Sequence, residues 1–319
     1  MKRIFVAIMA LGALVSCSKD ELVSVNRQAI QFGNAFVENS TRADDPSLTA
    51  TTLESFNVWG AINDDSGYLP VFAGDAVSGT VGANSVWEME DDSKVQYWVE
   101  DAKYNFAGLV NAKAGDVTLG TDKLPATVDF TLTTGKVDLL YARSTENIKG
   151  LASSNPKVGM TFNHLLSKVK FTVNNQSATA SAYSFLVKNI VVSAPETETY
   201  TVSTKEWSAT STPVDFKEFS NISVDGGAAS AECDSELLLI PGDVSVTFTV
   251  DIIYSDKTIA THTYTTKAAQ TIEVGKAYNF VINVSVGNPI QFSVTSVPTW
   301  ANGNTTPTGA PTYIPLDVQ

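Results

Sequence analysis

Within Asp243–Tyr254, DVSVTFTVDIIY, the residues alternate without a break as far as Ile252, Val244, Val246, Phe248, Val250 and Ile252 in one phase and Ser245, Thr247, Thr249 and Asp251 in the other. A strict period of two puts one apolar and one polar face on an extended chain, and a helix cannot use it. The same pattern returns in Val169, Phe171 and Val173, set against Lys168, Lys170 and Thr172, and again in Tyr278, Phe280, Ile282, Val284 and Val286. Ser255-Asp256-Lys257 predicts a tight turn that joins the first of these strands to TIATHTYTT as a hairpin. Helical periodicity is nearly absent. Strands with one apolar face stack as antiparallel sandwiches, so the expected class is all-β.

Strand signals near 54–62, 103–110, 127–133 and 138–143 form one group, and a second runs from about 166 to 287. At 319 residues the chain has room for two ordinary domains. The boundary is expected near 163–166, dividing residues 43–164 from residues 165–287. Beyond Gly287 the composition turns to proline, threonine and glycine, although Ile290, Phe292 and Val294 still alternate. Residues 288–319 are therefore expected to be a C-terminal extension.

At the other end, Lys2 and Arg3 precede an apolar run from Ile4 to Val15, the shape of a secretory signal over residues 1–16. Leu14-Val15-Ser16-Cys17 resembles a bacterial lipobox, in which the Cys17 thiol is acylated. Two acyl chains anchor a protein stably, so outer-membrane lipid is an expected partner. With Cys17 lipidated, Cys233 has no cysteine left to pair with. Lysine and arginine number 21 against 34 aspartates and glutamates, a net charge of −13, which repels nucleic acid and anionic lipid.

Residues that carry chemistry are scarce. His164 and His262 are the two histidines, and no metalloprotease, CxxC, nucleophile-elbow or phosphate-loop motif is present. His164 reads as a structural histidine and His262 as a surface one. The acidic clusters at 62–67 and 88–94 lack the spacing of a calcium loop and read as solvated turns. Isolated tryptophans such as Trp98 and Trp300 are more often core than sugar platforms. No catalytic residue, metal site or cofactor is expected, and the chain does not read as an enzyme.

One loop stands out. In AFVENSTRADDP, residues 35–46, an alternating strand containing Ile30 and Phe32 gives way to polar residues around Arg42, then to Asp44-Asp45-Pro46. Arg42 is either an ordinary solvated side chain or the most accessible bond for an arginine-specific protease.

Seven stretches in order carry a resemblance: FVENSTRADD, LESFNVWGAI, VQYWVEDAKYNFAGLV, VDLLYARS, MTFNHLLSKVKFTV, SELLLIPGD and AYNFVINVSVGNPIQFSVTSVPTW. Behind a lipobox, this series resembles the fimbrillins, the subunits of type V pili and their fimbrillin-like relatives. It departs from many of them in having Val99 after Trp98 and a longer tail after Trp300.

The resemblance implies two transthyretin-like β-sandwich domains in tandem, an exported lipoprotein precursor and a surface fimbria that supports adhesion. It implies cleavage between Arg42 and Ala43, which releases residues 17–42 as a propeptide. The released strand, with Ile30 and Phe32, would leave a groove for a tail segment of another subunit. That donor would lie among Ile290, Phe292 and Val294 or within Tyr313–Val318. Implied partners are other pilin subunits, the arginine-specific protease and a host or bacterial surface ligand. Two other functions stay open: a lipid-anchored surface protein that does not polymerise, and a glycan-binding lipoprotein.

Overall fold

A computed structural model describes residues 28–37, 53–64, 66–80, 86–177, 182–297 and 311–318. Among these the chain is all-β, with two short 3-10 turns, Asp92–Lys94 and Ala114–Asp116.

The N-terminal half forms a sheet that closes on itself. Strand Ser55–Asp64 pairs with Gly67–Gly79 on one side and Lys103–Val110 on the other. From Lys103–Val110 the ladder continues to Leu140–Arg143, then Val158–His164, then Phe32–Val37. Phe32–Val37 meets Trp87–Met89, and Trp87–Met89 returns to Gly67–Gly79, which completes the ring. Closure removes the exposed edges that an open sheet would present. Inside lie Phe32, Phe56, Phe72, Trp87, Phe106 and Phe162, all buried.

The C-terminal half is a sandwich of two sheets. One runs in the order Ser230–Glu232, Ser167–Asn175, Ala277–Val284, Gln291–Val297, Thr312–Ile314. The other runs Val214–Phe216, Tyr183–Ala194, Gly242–Tyr254, Ile259–Thr266, Leu316–Val318. The alternating side chains meet between them as expected, Phe248 of one sheet stacking on Phe292 of the other at 5.8 Å, while within one sheet Phe171 lies 5.2 Å from its cross-strand neighbour Phe280. The hairpin at Ser255-Asp256-Lys257 forms, with Asp256 accepting from the Thr258 N–H at 3.0 Å. Lys257 takes a φ of 71° there.

Two pairings depart from a purely antiparallel reading. Phe32–Val37 runs parallel to Val158–His164, and Ser167–Asn175 runs parallel to Ala277–Val284. Their partners are more than a hundred residues apart in sequence, so no tight turn dictates their direction.

The chain changes sheets between His164 and Ser167, and hydrogen bonding crosses that point. Thr197–Thr201 pairs back onto Pro125–Thr131 in a ribbon that also holds Val117–Leu119 and Glu206–Trp207. The sandwich core extends into the first half through Trp59, Leu109, Leu124 and Val128. At the junction the His164 Nδ1 lies 2.5 Å from the Asp138 Oδ2, a buried structural pair.

Glu198, 3% exposed, secures the ribbon. Its carboxylate accepts from the Ser208 hydroxyl, from the Ser211 N–H and hydroxyl at 2.7 Å each, and from the Thr210 N–H at 3.0 Å. Burial pushes its pKa up, but these donors outweigh it and hold the carboxyl below its usual 4.5. The stability it contributes is therefore present above that value and lost as pH falls through the lower folded one. Glu198→Ala should cost about 2–3 kcal/mol at neutral pH, because two N–H groups lose their acceptor. Chemical denaturation at pH 7 and pH 3 should show the difference from wild type shrinking in acid.

Candidate functional site: the first strand and the C-terminal strap

The first strand is held at its start by a clasp. The Ile30 N–H donates to the Gln96 carbonyl at 2.8 Å, and the Trp98 N–H donates to the Gln28 carbonyl at 3.1 Å. The Gln28 side-chain amide donates to the Asn155 carbonyl at 2.8 Å and accepts from the Asn155 N–H at 2.6 Å. Asn155 in turn braces its own loop through Leu151, with bonds of 2.6 and 2.9 Å.

Beyond the clasp, Ile30 and Phe32 both point into the barrel, 4% and 0% exposed. The Phe32 ring meets Phe56 and Phe106 edge-on at 5.8 Å each and Phe72 at 5.9 Å. An irregularity between Gly33 and Phe36 then shifts the phase, so Ala35 and Val37 fill the next inward positions. The alternation of Ile30 and Phe32 did not reveal these two residues; the Gly33-Asn34 pair, a common bulge signal, was the available cue. Gly33 is needed for its size, since a Cβ there would lie 2.8 Å from the Lys157 side chain.

The strand lies between two others: four registered pairs join it to Val158–His164, and among the described residues Phe32 pairs with Trp87 on the other side. The indole N–H groups of Trp87 and Trp98 are buried in this half and have no hydrogen-bond partner among the described residues. Cys17, Arg42 and Ala43 lie outside the described residues, as does Trp300.

The C-terminal extension differs from its expected place outside the core. Ile290, Phe292 and Val294 are 9%, 1% and 5% exposed, inside the chain's own sandwich. Gln291–Val297 follows Ala277–Val284 as a hairpin partner, with Gly287 turning at φ 81°. An apolar alternation that would suit a neighbour's groove suits this adjacent sheet edge equally, and a short connection favours the local partner.

Thr312–Val318 behaves differently, as a strap. Thr312–Ile314 caps the edge of one sheet by pairing with Gln291–Val297. The chain crosses at Pro315, whose carbonyl accepts from the Lys267 N–H at 2.9 Å. Leu316–Val318 then caps the other sheet by pairing with Ile259–Thr266. Only Ile314 is buried; Tyr313 and Val318 are 60% and 64% exposed. Under the strap, Ile252, Tyr254, His262, Tyr264, Leu316 and Val318 line a cleft of about 400 Å³.

The remaining sequence candidates resolve into structure. Asp64 accepts from the Ser66 N–H and hydroxyl, and Asp91 from the Ser93 N–H, so both acidic clusters cap turns. Among the described residues no three metal-ligating side chains gather. Trp98 is buried against Tyr104 at 4.8 Å.

A closed barrel completed by its first strand is joined to a sandwich edged by its own tail, and the whole is all-β. Residues 41–300 match the fimbrillin-like family model, and the chain belongs to that family. A solved candidate cell adhesion protein from Bacteroides ovatus ATCC 8483 is similar at a TM-score of 0.52 and 15% identity, covering 85% of this chain and 96% of that one. Another, from Bacteroides uniformis ATCC 8492, is similar at 0.50 and 14%, covering 86% and 98%. These likenesses show the fold. No curated protein matches the sequence.

The two tail segments should respond differently to deletion. Removing residues 311–319 uncovers one buried side chain, Ile314, and should cost about 1.5–3 kcal/mol while leaving a folded monomer. Removing residues 290–319 also takes Ile290, Phe292 and Val294 from the core, roughly 6–12 kcal/mol in all, and should unfold the sandwich. Thermal melting followed by near-UV circular dichroism separates the two outcomes.

Proposed function

We propose that this chain is a structural subunit of a cell-surface fimbria that serves adhesion, assembled by strand exchange after proteolysis. One observation carries the reading: the barrel is completed by a strand that lies just upstream of the Arg42 loop and buries Ile30, Phe32, Ala35 and Val37. A cut between Arg42 and Ala43 would turn that strand into a separable peptide. Its loss would leave an apolar slot and an unpaired ladder along Val158–His164, which a strand from another subunit can fill. Exchange of this kind is head-to-tail and unclosed, so it propagates a filament.

The donor in this reading is the tail, and Thr312–Val318 is the segment that leaves its home at least cost, with one buried side chain to give up. Drawing out Ile290, Phe292 and Val294 would empty the donor's own core. Before cleavage, an acylated Cys17 would hold the precursor in the outer membrane. A stable lipid anchor that never polymerises is the second reading, and it draws on Leu14-Val15-Ser16-Cys17.

Mass spectrometry of the surface-extracted protein decides between them. A mature N-terminus at Ala43 is expected for the fimbrial subunit; a diacylated Cys17 on every molecule would instead make it an anchor. Arg42→Ala should block trimming and abolish filaments in electron micrographs without shifting the melting temperature. Normal filaments from that variant would rule out Arg42 as the cleavage point.

A further inference from the structure

One histidine of the sandwich stands on the wrong face for a surface residue. Val250 pairs with His262, Phe248 with Tyr264, and Tyr264 with Val318. Antiparallel partners directly opposite one another project from the same face, so His262, Tyr264 and Val318 share the inward face of Phe248 and Val250. Phe248 is covered there by Phe292 of the facing sheet. His262 is inward by register and yet exposed. The reason is that the facing sheet gives way to the 285–290 turn, and the cleft under the strap opens between that turn and the inward residues of Gly242–Tyr254 and Ile259–Thr266.

The residues at these positions suit a wet cleft rather than a core. Where a facing sheet would call for aliphatic side chains, the chain places Tyr254, His262 and Tyr264, rings that end in a polar atom. The His262 and Tyr264 rings lie 6.4 Å apart. The opposite wall is polar and neutral. The Asn288 side-chain amide donates to the Ser285 hydroxyl at 3.1 Å, and that hydroxyl donates to the Gln176 carbonyl at 3.4 Å. This chain of bonds braces the exposed Asn288 at the rim. Leu316 and Val318 of the strap supply an aliphatic side. Among the described residues lining the cleft there is no aspartate, glutamate, lysine or arginine.

We propose that this cleft binds an uncharged sugar unit at the end of a glycan, with the strap as one wall of the site. The lining selects that chemistry by elimination and by fit. A cation finds no carboxylate there, and an anion finds no lysine or arginine on a chain of net charge −13. A purely apolar molecule would strip water from His262, Ser285 and Asn288 and return no hydrogen bond. A sugar ring does both jobs: its C–H face lies on the tyrosine and histidine rings, and its hydroxyls bond to the imidazole, hydroxyl and amide. The volume, about 400 Å³, lies near the lower end of the roughly 300–1,000 Å³ of small-ligand sites, so it takes a chain end and leaves the rest of the glycan in solvent. The site requires the strap at home and no cut at Arg42, so it stands independently of the strand-exchange reading.

Saturation-transfer NMR and calorimetry on the uncleaved full chain test this, with lactose, N-acetyllactosamine, maltose and mannobiose as neutral probes and glucuronic acid and cyclohexanol as controls. At least one neutral saccharide should bind and take up saturation through its ring C–H protons, and both controls should bind more weakly. His262→Ala and Asn288→Ala change exposed side chains, and each should weaken binding about ten-fold. Removing residues 311–319 should abolish it. A saccharide held at about ten times its dissociation constant should slow amide hydrogen exchange at 316–318 about ten-fold, because opening the strap would release it. That protection reads the site in the intact chain, whatever the truncation does to folding. Binding by none of the neutral saccharides up to their solubility, tighter binding of either control, wild-type affinity in both point variants, or no added protection of the strap would each overturn the proposal.

Discussion

The N-terminal half depends on one non-local ladder, Phe32–Val37 laid parallel against Val158–His164. Without it the ring would end in two open edges, and the aromatic cluster around Phe32 would lose its centre. Phe32 touches three other phenylalanines, two of them edge-to-face, a geometry that adds to simple burial. The strand is thus both a wall of the barrel and part of its filling. It is paired on both flanks, with Val158–His164 on one side and Trp87–Met89 on the other.

The opposite end shows a complementary arrangement. A short strap closes the edges of both sandwich sheets and changes sheets at Pro315, a residue that has no N–H to leave unpaired. Covered edges do not recruit stray strands, so the strap protects the monomer while it stays at home. Its apolar residues are only partly satisfied there. Gln291–Val297, by contrast, is interior to its sheet and carries Phe292 into contact with Phe248 and Phe280. The two tail segments have the same kind of alternation and opposite energetics.

Between the ends, the halves share structure. The ribbon built from Pro125–Thr131 and Thr197–Thr201, the carboxylate of Glu198 and the Trp207 indole, which donates to the Leu165 carbonyl at 2.9 Å, all lie across or beside the junction. Trp59 points out of the barrel into the sandwich-side core while its neighbour Val58 points in. A strand buried on both faces shows no clean alternation, and LESFNVWGAI shows none for that reason.

The sequence by itself determined the all-β class, because period-two alternation at Val169–Val173, Val244–Ile252 and Tyr278–Val284 admits no other periodic backbone. It also placed the 255–257 hairpin, whose turn chemistry is local, and the inward direction of Ile30 and Phe32. Only the tertiary structure decided which strands meet. The parallel seating of residues 32–37 on 158–164 and the return of residues 197–201 to 125–131 join segments far apart in the chain, and no local propensity encodes such a pairing. The same limit governed the tail. Alternation states that Ile290, Phe292 and Val294 share a face, but whether that face meets the chain's own sheet or another copy depends on which edge is nearer. Here the turn at Gly287 brings their own sheet edge within reach first.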